Sequence, residues 1–123
     1  MPLFSSDPAR CVLPDGHVLM VYKAVANYAE LLRMGVSRSE NPEGPYQRLL
    51  NRPVLHFDAT SDHVEDAYVW WSGNGFELIM KDMKGGICGE RGGGIHATSP
   101  NGVDWTLSDP PPAYSRTIRI PLR

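Results

Sequence analysis

Short apolar runs separated by turn signals dominate the chain, and they come in two matching sets. Asp15-Gly16 is a turn signal followed by the run His17 to Val25, and Asn74-Gly75 is another, followed by Phe76 to Met83. Both runs end near a lysine, Lys23 or Lys81. Further on, Leu32 to Ser39 and Gly94 to Ser99 each end in a serine and enter a loop carrying Pro and Gly. An aromatic strand follows each loop, beginning at Tyr46 or just before Trp105. A first strand precedes each turn, Arg10 to Leu13 in one copy and Ala67 to Trp71 in the other. Gly16 and Tyr46 are 30 residues apart, as are Gly75 and Trp105, and the two copies are offset by 59.

Each copy therefore predicts four antiparallel strands. A repeat of this length with four strands is the signature of a propeller blade. The expected fold is all-β: two four-stranded blades forming a partial β-propeller, one domain over 1–123 with repeat units at about 8–52 and 64–109. A β-sandwich built from the same strands is disfavoured by the 59-residue repeat. One stretch has two readings. Ala24 to Met34 carries apolar residues at 25, 28, 29 and 32, as a helix would. The second copy has a Gly-rich stretch, Gly85 to Gly94, at the same place, which favours a hairpin loop leading into a strand. Two blades do not close a ring, and stacked units usually need about three to be stable. The chain is thus expected to be part of something larger or to self-associate. An abrupt start at a strand and an end at the strand-like run Ile118 to Arg123 fit that expectation.

Composition supports many turns. Gly (12) and Pro (11) together are well above average usage for 123 residues, which favours short strands over long helices. The net charge of −2 gives no electrostatic support to a nucleic-acid or anionic-membrane partner. No apolar run approaches the roughly 18 residues of a membrane span. The N-terminus shows no secretory signal, so the chain is assigned to the cytoplasm by default. Cys11 and Cys88 form no CxxC motif; buried thiols are the favoured reading, and a disulfide stays open. Neither a metal site nor a cofactor motif is legible, and no GxxxxGK[ST] loop occurs.

Several stretches resemble the five-bladed β-propeller glycoside hydrolases, the family 43-like group. They are Leu13 to Lys23, Asn41 to Tyr46, Val64 to Trp71, Met80 to Met83 and His96 to Trp105. The resemblance covers Asp7 to about Arg116. It implies hydrolysis of glycosidic bonds in oligo- or polysaccharides by three acids at an axial funnel: a general base, an Asp that tunes and orients, and a general acid. Inversion needs one protonated and one ionised carboxyl about 6.5–9.5 Å apart. Asp66, in Val64-Glu65-Asp66-Ala67-Tyr68, matches the tuning and orienting position, with Ala67 where the family has Pro. By the same match, the base lies upstream of Met1 and the acid downstream of Arg123. Asp7-Pro8 looks like a second blade-opening Asp-Pro.

The remaining candidates are weighed one by one. Alternation along a strand puts Glu65 and Asp66 on opposite faces, with Asp66 toward the funnel. Asp82 is either a sugar-hydroxyl ligand or, with Lys81, part of a strand-end ion pair or turn. His96 either faces the funnel, as in some relatives, or is a hydrogen-bonded strand residue. Glu90, beside Arg91 in a glycine-rich loop, either reaches a ligand or forms a surface pair. Tyr68 and Trp70 share one face and Trp71 takes the other; one set packs the core and the other is free to stack on a sugar. No Ser/His/Asp set is legible. The expected function is a glycoside hydrolase-like protein with part of an active site in this chain, catalytic Asp66, and substrate-binding Glu65, Asp82, Glu90, His96 and Trp70. The expected partners are a carbohydrate and either further copies or the missing blades. The alternatives are a non-catalytic carbohydrate-binding or scaffold β module, and an inactive truncated remnant.

Overall fold

Turn glycines and runs of Val, Leu, Ile, Tyr and Trp set the local structure. Gly16, at φ +88, lets the turn between the first two strands close, with the Leu13 amide donating to the His17 carbonyl at 2.7 Å. The computed structural model describes residues 4–25, 32–57, 61–108 and 113–115, and among them there are strands and no helix. Among the described residues no helix is therefore long and apolar enough to cross a membrane. The first sheet runs β1 (Phe4–Val12), β2 (Val18–Val25), β3 (Arg33–Ser39) and β4 (Gln47–Arg48), in that spatial order. The second runs β5 (Val64–Trp71), β6 (Phe76–Asp82), β7 (Gly94–Ser99) and β8 (Thr106–Leu107), likewise in order. Every pairing is antiparallel. The all-β fold of two four-stranded sheets is as the repeat predicts. In the stretch with competing helix and hairpin readings, Ala24 and Val25 end β2 and Arg33 and Met34 open β3. Residues 26–31 lie outside the described residues, as does the run Ile118 to Arg123.

The registers show how exact the repeat is. Val12 pairs with Val18 and Trp71 with Phe76, so β1 and β5 are 59 residues apart and β2 and β6 are 58 apart. The one-residue difference is taken up in the turns, 13–17 against 72–75. Ser39 corresponds to Ser99, and both begin the same turn. The Asn41 amide donates to Ser39 Oγ, and the Asn101 amide to Ser99 Oγ, each at 3.3 Å. Tyr46 and Trp105 also correspond. Each donates back to a carbonyl of its own loop, Tyr46 Oη to Pro42 and Trp105 Nε1 to Gly102. The first strand of each sheet carries a bulge at the same point, between Ser6 and Ala9 and between Glu65 and Tyr68. The first strands consequently run further back than the sequence suggests, to Phe4 and Val64.

The sheets stack front to back. Cys11, Leu19, Val21, Met34 and Val36 share one face of the first sheet, and all are buried. They form one apolar cluster with Val64, Val69, Phe76, Leu78, Met80, Ile95 and Ala97 on the second sheet. Those residues lie on the face of the second sheet that corresponds to the opposite face of the first. Gly102 marks the close approach: at φ +82, a Cβ there would come within 2.9 Å of the Leu19 methyls. Cys11 and Cys88 are buried and unbridged, and burial raises both thiols above their ordinary range.

Candidate functional site

The β5 bulge brings four charged side chains together. At Asp66 the backbone takes φ +56, a left-handed conformation uncommon for a non-glycine residue and a place where strain concentrates at functional sites. This breaks the alternation that would set Glu65 and Asp66 on opposite faces. The expected placement on opposite faces is thus corrected: both side chains reach Lys81. Lys81 Nζ lies 3.0 Å from Glu65 Oε1 and 2.9 Å from Asp66 Oδ2. Lys23, which corresponds to Lys81 in the first sheet, donates to Glu65 Oε2 at 3.0 Å. Glu65 therefore ties the two sheets together and receives both lysines.

The electrostatics follow from this geometry. Partial burial alone would raise the Glu65 carboxyl. Hydrogen bonds from Lys81 and Lys23 outweigh that and hold it below the usual carboxylate range. Hydrogen bonds to Asp66 and Glu65 hold Lys81 above the ordinary ammonium range. The group is an arrangement of acceptors and donors with Asp66 on the solvent side, its side chain 52% exposed. Such an arrangement can hydrogen-bond several hydroxyls at once. Glu65, held below the usual carboxylate range, is not a proton donor in this group.

The other predicted residues lie apart from this group. Asp82 is fully buried and accepts from the amides of Gly85, Ile87 and Cys88, each at 2.9 Å. Burial would raise its carboxyl, but the three amides outweigh it and hold it low. Asp82 thus moors the glycine-rich loop and does not face solvent. Glu90, in that loop, accepts from Ser115 Oγ at 2.7 Å. Trp70 and His96 sit together on the outer face of the second sheet. Trp70 lies 5.8 Å from the Tyr68 ring and 6.1 Å from the His96 ring. Tyr68 is 62% exposed. Trp71 turns to the other face, edge-on to Phe76 at 5.0 Å.

On this outer face the structure joins residues that sequence reasoning left separate. Glu77 Oε1 is 3.0 Å from His96 Nε2, and Ser108 Oγ is 2.6 Å from His96 Nδ1. Trp70 Nε1 donates to Glu77 Oε2 at 3.2 Å. Both imidazole nitrogens are thereby engaged, and the ring is held in place beside the two aromatics. The signal for Glu77 was in the repeat: it stands where the first sheet has Leu19. Among the described residues no group of three or more His, Cys, Asp and Glu is placed to hold a metal ion. A scan against known protein families finds no match to this chain, and no curated protein matches it.

Proposed function

We propose that this chain is a carbohydrate-active β module of the glycoside hydrolase type, carrying part of a sugar site. The observation that supports it most is the Lys81 bridge between Glu65 and the strained Asp66. In this reading Asp66 orients the substrate and tunes a neighbouring acid, and Glu65 and the lysines bind sugar hydroxyls. Hydrolysis needs one protonated and one ionised carboxyl across the bond. Glu65 is held ionised and so does not serve as the general acid; in this reading the acid and the base both come from other blades, in this assembly or another copy. The test is hydrolysis of an aryl-glycoside panel together with calorimetric titration of oligosaccharides. Asp66→Asn is expected to abolish any hydrolysis and to weaken binding about tenfold or more. Full retention of both in that variant removes Asp66 from the site.

A second reading is a binding module without hydrolysis, favoured by the exposed Tyr68 beside Trp70. Two neighbouring aromatic rings, tilted by 34° to one another, offer apolar faces to a pyranose. It predicts that Trp70→Ala abolishes oligosaccharide binding while Asp66→Asn leaves it intact.

A further inference from the structure

The entrance to β5 borders a cavity of about 410 Å³, lined by Leu32, His63, Met83, Lys84 and Arg91. That size lies within the roughly 300–1,000 Å³ of small-molecule pockets. The glycine-rich loop builds one wall. Asp82 gathers its amides, and at Gly85, φ +88, a Cβ would stand 2.5 Å from the Arg91 backbone nitrogen. Only glycine lets the chain double back so closely, and this places Arg91 alongside Lys84. The other wall is set by His63. Its Nδ1 accepts the Leu32 amide at 3.0 Å, which leaves the ring proton on Nε2 as a donor. Lys84 Nζ donates to the Ser61 carbonyl at 3.2 Å, a neutral partner. Glu90, next to Arg91 in the chain, accepts from Ser115. Among the described residues no carboxylate lines the cavity.

A guanidinium, an ammonium and an imidazole N–H beside the apolar side chains of Leu32 and Met83 match a carboxylate carried on a compact ring. We infer that this cavity takes the carboxylate of an acidic saccharide, a uronic acid residue, bound next to the Glu65–Asp66–Lys81 group. His63 and Glu65 are two residues apart at the start of β5, so one chain of sugars spans both. The inference rests on the carbohydrate reading above and names its substrate class.

The test is calorimetric titration of the intact chain with trigalacturonate, with its fully methyl-esterified form and with inorganic phosphate. The acid is expected to bind about tenfold tighter than the ester. Lys84→Gln with Arg91→Gln is expected to erase that preference, so that the acid binds no tighter than the ester. Arg91→Gln alone, at an exposed position, reduces the preference where the pair disturbs folding. Equal affinity for acid and ester overturns the cavity assignment and leaves the carbohydrate reading standing. Binding of neither saccharide overturns both. Phosphate binding as tight as the acid's, lost in the same variants, makes this a free-anion site and overturns the saccharide class.

Discussion

The two sheets share a backbone and differ in one face. On the first sheet, Cys11, Leu19, Val21 and Val36 are buried against the second. The corresponding residues of the second sheet are Trp70, Glu77, Ile79 and His96, all only partly buried. Leucine has become glutamate and valine has become histidine, and the two new polar groups hydrogen-bond to each other. Register and strand order are therefore independent of what covers a face. A polar outer face is how the terminal units of stacked repeats meet water, and the Glu77–His96 pair gives the second sheet such a face.

Exchanging residues between corresponding positions measures this difference. Leu19→Glu puts the second sheet's residue into the first sheet's interface. Burying that carboxylate without a partner should cost about 4 kcal/mol or more, read by urea unfolding. A loss below about 1 kcal/mol would mean that the sheets do not depend on this packing.

Asp82 corresponds to Ala24, so Asp82→Ala gives the second sheet the first sheet's residue. Three loop amides then lose their acceptor, and about 2–3 kcal/mol should go with them. The pH dependence has a definite sign. The folded carboxyl is lowered, so its stabilisation is complete above the unfolded value of about 3.9 and is lost as pH falls through the folded value. The variant should therefore lose less stability on acidification than the parent, measured by unfolding midpoints across pH 2–6. An unchanged acid slope would assign the acid sensitivity to other carboxyls, Glu65 first.

The smallest change in stability, less than about 1 kcal/mol, is expected for Glu77→Leu with His96→Val. Its effect is on mass. The outer face then resembles the buried face of the first sheet and should drive self-association, read by light scattering. A variant with the parent's mass would show that face polarity does not control stacking.

The repeat made the strands and their order legible because turn residues and apolar runs recur at a fixed distance. The bulge at Asp66 was hidden because the residue after it is Ala67, whose side chain imposes no backbone constraint. Asp82 read as a candidate ligand because its partners are backbone amides, which every sequence contains. Glu77, His96 and Ser108 meet only across neighbouring strands, so spacing along the chain does not announce them. A position-by-position comparison of the two copies does expose Glu77, as a charge where its counterpart is a buried leucine.

The front-to-back stacking of the sheets has a consequence in symmetry. An interface that joins two unlike faces is not self-complementary, so no two-fold axis can run through it. Any assembly that extends this stack has a direction, and it either closes into a ring or continues as a fibre. A two-fold dimer of this chain would have to be built on a different surface.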